Sequence, residues 1–201
     1  MDHDGVLPVS SDPGERPLRA DARRNRTRIL EAAETVFAEQ GAVASTELVA
    51  TRAGVAIGTI FRHFPTKPDL LKAVVMNLHD QLAAEADAMV SDPDAVNALY
   101  EFCSRVMTIG VQNRAVFDRL AETGVRVHVG DALASLRPVI DVLLDRAQQA
   151  GTVREDLQPT ELIAVLAAIC QEAMTDEWDE QFRTRALSIL FEGIRPPAKR
   201  G

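Results

Sequence analysis

Arg62, His63 and Lys67 fall within six residues of one another, directly behind Ile57, Gly58 and Thr59. That spacing puts cationic groups beside small ones on one short helix. The combination suits phosphate oxygens and base edges better than bond-breaking chemistry. No rival cluster is evident. The four histidines, His3, His63, His79 and His128, are scattered, and no glycine-rich phosphate loop or metal-ligand pair on one helix face is present. No Ser or Cys has a plausible His partner, so an enzyme, a metal and a cofactor are not expected. Cys103 and Cys170 lack C-x-x-C spacing and sit in apolar helical contexts, which suggests reduced thiols.

Positioning these groups requires a scaffold, and residues 45–64 supply one. Ser45 can cap a short helix from Thr46 to Arg52, whose buried face would be Leu48, Val49 and Ala53. Gly54 is free to take a positive φ in the turn that follows. A second short helix from Ile57 to His63 has Ile60 and Phe64 four apart as an inner anchor. Gly58, Thr59, Arg62 and His63 then face outward, small or polar enough to enter a major groove about 12 Å wide. Two short helices joined by a glycine-containing turn are the ingredients of a helix-turn-helix.

The net charge of −8 argues against nucleic acid only until it is partitioned. Residues 1–15 hold four acids and no Lys or Arg, whereas residues 16–72 hold ten Lys/Arg against six Asp/Glu, a local +4. The remainder carries the −8 balance of twelve against twenty. A basic segment on an acidic protein is an electrostatic footprint for DNA, although a solvated surface has the same composition.

Periodicity predicts an all-α protein of about nine helices, and no strand is convincing. The 1–18 segment is rich in Pro, Gly, Ser and Asp and is expected to be a disordered tail. A helix over 22–40 carries Ile29, Leu30, Ala33, Val36 and Phe37 and stops at Gly41. Thr66 caps a long helix over 67–90, with Pro68 and Asp69 in its first turn. Further helices are expected over 94–113, 115–122, 131–150, 160–175 and 178–194, with Pro138 either kinking the seventh or marking its true start. The longest apolar run, Leu162 to Cys170, has nine residues, too few to span a bilayer. The N-terminus lacks a signal-peptide pattern, so a cytoplasmic protein is expected.

The stretch Arg-Thr-Arg-Ile-Leu-Glu-Ala-Ala-Glu-Thr-Val-Phe, followed by Ala-Gly-Val-Ala-Ile-Gly-Thr-Ile-Phe-Arg-His-Phe-Pro-Thr-Lys-Pro-Asp-Leu-Leu, resembles the DNA-binding domain of the TetR family of bacterial transcriptional regulators. The resemblance covers residues 26–72 by motif, and the length and helical remainder are also similar. It implies a helix-turn-helix domain over 19–72 and a helical effector-binding and dimerisation domain over 73–201. Ile57, Gly58 and Thr59 would open the recognition helix, and Arg62 would reach a guanine edge or a phosphate. His63 and Lys67 match phosphate-gripping positions, and Ser45 and Thr46 match a helix start whose backbone N–H groups face phosphate. Arg23, Arg24, Arg26 and Arg28 would flank the duplex or reach a minor groove. Two departures stand out. Phe61 replaces the family's usual Tyr, so its ring can only pack or touch a thymine methyl, and the loop from Gly41 to Ser45 is one residue shorter.

The resemblance further implies a homodimer paired through the last two helices, by way of Leu162, Leu166, Ile169, Ala173, Phe182, Ala186, Ile189 and Leu190. Between the ends, a pocket for a largely apolar effector would be lined by Phe102, Cys103, Val106, Met107, Phe117, Leu136, Ile140, Met174 and Trp178, with Asn113 and His128 as polar handles. The partners implied are therefore double-stranded operator DNA, a small-molecule effector and a second copy of the chain, with no membrane. Repression relieved by the effector is the implied function. A helical carrier or interaction protein without sequence-specific DNA binding would account for the helices but not for the basic segment around the glycine turn.

Overall fold

The computed structural model describes residues 15–41, 43–91 and 95–197, and ten α-helices make up the regular structure among them. α1 (Glu15–Gln40) begins earlier than expected, so residues 15–18 belong to the helix, and the rest of the expected tail lies outside the described residues. Pro17 falls in the first turn, where a missing backbone N–H leaves no helical bond unmade. The stripe Ile29, Leu30, Ala33, Val36 and Phe37 is wholly buried.

α2 (Thr46–Ala53) starts where the sequence places it: Ser45 is extended, and its Oγ accepts from the Leu48 N–H at 3.2 Å. It ends at Gly54, whose φ of 63° lets the Val55 N–H turn back to the Ala50 carbonyl at 3.1 Å. α3 (Ile57–His63) follows, and α4 (Lys67–Val90) opens with a reciprocal cap. There the Asp69 N–H donates to Thr66 Oγ at 3.3 Å while the Thr66 N–H donates to Asp69 Oδ2 at 3.0 Å.

The remaining helices are α5 (Ala95–Gln112), α6 (Arg114–Glu122), α7 (Val129–Ser135), α8 (Arg137–Gln149), α9 (Pro159–Thr175) and α10 (Glu180–Gly193). The expected seventh helix is thus two helices, which raises nine to ten. The chain leaves helical geometry at Leu136 (ψ 7°), and Pro138 sits in the first turn of α8. A continuous helix would drive the proline ring against the Ala134 carbonyl, so the break falls just ahead of it. α10 also starts two residues later than expected, because the Asp179 carboxylate caps it by accepting from the Phe182 N–H at 2.7 Å. Trp178 stays outside, in the turn after Glu177 at φ 54°.

α1 packs on α2 and α4, α2 on α3, and α6 touches both α1 and α4. α5 lies at the centre of the rest, against α4, α8, α9 and α10, while α7 lies on α9. One continuous apolar core runs from Ile29 through Leu70 and Leu99 to Leu166 and Ile194. α4 is the element that belongs to both ends of it. Side-chain ties hold it there: Arg105 of α5 grips Glu85 through two bonds of 2.6 and 2.9 Å, and Arg146 of α8 donates to the Val90 carbonyl at 2.5 Å.

Candidate nucleic-acid interface and ligand cavity

α2 is held by Thr46, Val49, Ala50 and Ala53, all buried, with Leu48 only half-buried. α3 is anchored by Ile60 and by Phe64 just beyond it. Its other side carries Gly58, Phe61 and Arg62 in the open, with Ile57, Thr59 and His63 half-buried beside them. Phe61 is 45% exposed, so the ring expected either to pack or to meet a base is not a core residue. A side chain built at Gly58 would meet nothing within 4 Å, so no contact inside the chain calls for glycine there.

The flanking cations divide into those turned outward and those that hold the motif together. Arg28 donates to the Ala53 carbonyl at 2.7 Å, and so neutralises the negative end of α2. This is one of the arginines expected to meet the duplex. Arg24 pairs with Asp21, and Arg52 pairs with Glu39 of α1 at 2.7 Å, tying α2 to α1. Arg26 stands 5.6 Å over the Phe64 ring. Lys67 donates to the Ala44 carbonyl at 2.7 Å and lies 5.9 Å from the centre of the Phe37 ring. Partial burial, followed by the nearby Arg119 charge, pulls its ammonium below the usual lysine value. Lys67 thus ties the loop before α2 to the start of α4, with part of its donor capacity already used. Ser45 is exposed but occupied as a cap, and Thr46 is buried, so at that helix start only backbone groups and the Ser45 hydroxyl remain to meet a phosphate.

A cavity of about 80 Å³ lies among α4, α5, α6, α7 and α9. Of the residues expected to line it, Val106, Phe117, Leu136 and Met174 do so. Phe102, Cys103, Met107 and Ile140 are instead closed into the packed core and are not on its wall. Asn113 is buried as well; its Nδ2 donates to the Ile109 carbonyl at 3.1 Å, while its Oδ1 has no partner. His128 is exposed on an open basin beside the cavity, and Trp178 packs edge-on to Phe182 at 4.4 Å. What the periodicity missed is a whole wall: Val75, Leu78, His79 and Leu82 form one stripe of α4 on the cavity. Their i, i+3, i+4, i+7 spacing was the available signal. Cys170 also lines it, and burial pushes its thiol up to about 12, while Cys103 is raised for the same reason. Neither is a poised nucleophile.

The expected pairing surface separates into two sets. Leu162, Leu166 and Ala173 are buried within the chain itself, so they belong to its core. Ile169, Ala186 and Leu190 are half-buried, while Phe182 (54%) and Ile189 (61%) stand exposed on α10 and Val165 on α9. Among the described residues no cluster of acidic, His or Cys side chains could hold a metal, and no helix is long and apolar enough to cross a membrane.

Comparison with known proteins matches this geometry. Residues 29–74 match the model of the tetR family of bacterial regulatory proteins, and residues 94–196 match an SbtR-like transcriptional regulator C-terminal domain. The chain is 37% identical over 181 residues to the HTH-type transcriptional regulator TtgR of Pseudomonas putida, covering 89% of this chain and 82% of that one. It is 30% identical over 152 residues to the HTH-type transcriptional repressor KstR of Mycobacterium tuberculosis, covering 71% and 67%. A TetR transcription regulatory protein from Mycobacterium vanbaalenii superposes with a TM-score of 0.68 at 31% identity, over 89% of this chain and 99% of the other. A TetR regulator from Streptomyces coelicolor gives 0.70 at 28%, over 86% and 99%. With a helix-turn-helix, a cavity among five helices and a matched family model at each end, the chain belongs to the TetR family of bacterial regulatory proteins and is a DNA-binding transcriptional regulator.

Proposed function

We propose that this protein is a cytoplasmic repressor that binds a two-half-site operator as a homodimer and releases it when a small, largely apolar molecule fills the cavity. No enzymatic step is involved. Residues 19–72 read the DNA, and residues 73–201 bind the effector and pair the subunits. The observation that carries the reading is the outer face of α3, where Gly58, Phe61 and Arg62 are exposed together while Ile60 anchors the opposite side. Ile57 and Thr59 complete that surface, His63 and Lys67 meet phosphate at its margin, and Ser45, Thr46 and Arg26 border it. Arg28 acts by fixing α2. The exposed Phe182, Ile189 and Val165 supply the apolar centre of the subunit contact, with Ile169, Ala186 and Leu190 around it. A single recognition helix reads few base pairs, and a symmetric pair reading half-sites one turn apart supplies the missing discrimination.

The size of the cavity favours release as the outcome of binding. Ligand sites commonly measure about 300–1,000 Å³, well above the void present here. An effector of ordinary size therefore binds an expanded state better than this one, and it shifts the population by that differential affinity. Because α4 is one wall, expansion moves the helix that begins at Lys67 beside the reading head. The test is fluorescence anisotropy on a duplex from the gene's own upstream region, across a salt series and against scrambled competitor. Tight, sequence-specific binding with a steep salt slope is expected. Absence of binding even at low salt would sink the proposal.

A further inference from the structure

The cavity wall is apolar except at one side chain. His79 of α4 faces it half-buried, and its Nε2 lies 2.7 Å from Ser135 Oγ at the end of α7. The direction of that bond follows from the serine's other contact. Ser135 Oγ also lies 2.6 Å from the Ala132 carbonyl, a contact in which the hydroxyl donates and which leaves it to accept from His79. On that arrangement we assign the proton to His79 Nε2. On the other side of the ring, Nδ1 is 3.6 Å from Asp80 Oδ1, too far for a hydrogen bond. His79 thus offers the cavity one donor, fastened at present to α7, and the same bond ties α4 to α7.

The mouth of the cavity says which charge the occupant carries. An open basin shares Val75, His79, Val127 and Ala132 with the cavity and adds Asp80, Arg126, His128 and Asp131. Two carboxylates share that mouth with one guanidinium and two imidazoles, so no single sign of charge dominates it. Inside, no acid, lysine or arginine is on the wall, so an ion would be stripped of water with only the His79 ring near it.

We propose that the cavity takes a neutral, mostly apolar molecule bearing one hydrogen-bond-accepting oxygen, which replaces Ser135 as the acceptor for His79 Nε2–H and so unfastens α4 from α7. The proposal rests on the effector reading above and specifies its chemistry. It also supplies the coupling. A void of about 80 Å³ is smaller than the roughly 150 Å³ cavities that take benzene. The occupant must therefore part the walls, and the helix it parts from α7 runs back to the reading head.

Three probes of closely similar size separate the possibilities: 2-heptanone, 2-methyl-1-heptene with a methylene in place of the ketone oxygen, and heptanoate, one heavy atom larger. Binding to the full-length protein is followed by calorimetry and by release of operator in the anisotropy assay. The wild type should hold 2-heptanone at least tenfold tighter than the alkene or the carboxylate. His79→Leu should abolish the preference over the alkene and leave the carboxylate excluded. Ser135→Ala, at an exposed position that folding tolerates, should tighten 2-heptanone several-fold, because no internal bond has to be broken first. Binding of the ketone with unchanged preference in His79→Leu, or with no gain in Ser135→Ala, overturns the inference and leaves the effector cavity standing. Tightest binding by heptanoate overturns the neutral class. Failure of all three to bind the wild type up to their solubility limits removes the cavity as an effector site, and the inference with it.

Discussion

Gly54 and Gly58 lie four residues apart and answer to different demands. Gly54 has a φ of 63°, and a Cβ there would stand 2.8 Å from the Arg28 guanidinium. Gly54→Val should therefore destabilise the fold by about 1–2 kcal/mol or more, read as a Tm lowered by several degrees. Gly58 has ordinary helical geometry and empty space around it. Gly58→Ala should raise stability by up to about 1 kcal/mol and yet weaken operator binding, because the methyl intrudes where the groove floor must come close. Loss of stability together with binding would show that position to be structural. Arg62→Ala should cost about 1–3 kcal/mol at one base-pair position and relax discrimination there. Measuring affinity on operators varied one pair at a time checks this, and uniform weakening would assign Arg62 to phosphate. Cys170 gives the pH prediction. Its folded thiol titrates near 12 against an ordinary 9.0, so the unfolded chain loses its proton first and the thiol's contribution to stability falls as pH rises from 9 to 12. Iodoacetamide at neutral pH should leave Cys170 unmodified, as mass spectrometry of the labelled protein would show.

At the scale of elements, the reading motif was legible and the cavity was not. Ser45, Gly54, Thr66 with Asp69, and Pro65 act through caps and backbone dihedrals within a few residues of themselves, and α2, α3 and α4 begin within a residue of where those signals put them. Pro138 carried the right information in ambiguous form, since a kink and a helix start use the same steric clash. The Asp179 cap, one residue past the apolar Trp178, starts α10 later than apolar spacing alone predicts. The cavity depends instead on how five helices meet. Phe102 and Val106 are one turn apart on one stripe of α5, and only packing puts the second on the wall and the first behind it. Likewise Leu166 and Val165 are neighbours on α9, one turned into the core and one away from it. Lys67 shows an element-scale effect of a single residue, since it joins the α1–α2 loop to the start of α4. Lys67→Ala should weaken specific and random duplexes alike and lower the salt slope by about one. A drop in Tm in the same variant would register the lost clamp.

For the molecule as a whole, charge and exposed apolar area are distributed to opposite purposes. The net −8 is compatible with DNA because the +4 segment spans the reading head, and the acidic remainder repels phosphate and so orients approach. Far from that segment, Ile189 and Phe182 form an apolar surface that water alone would leave costly. Ile189→Glu should yield a monomer by light scattering, with operator affinity lost and the fold retained. A dimer in that variant would place the pairing surface elsewhere. The continuous core has a thermodynamic consequence. Because α4 contributes Leu70 and Leu71 near its start and Leu82 and Ala86 further along to one cluster, the two ends are expected to melt together. A calorimetric scan should show one endotherm, with calorimetric and van't Hoff enthalpies in agreement for the cooperative unit. A fragment cut after residue 72 should therefore fail to hold its shape. A single endotherm would make the two ends one melting unit, so that strain at the cavity would register as lost order in the helix-turn-helix.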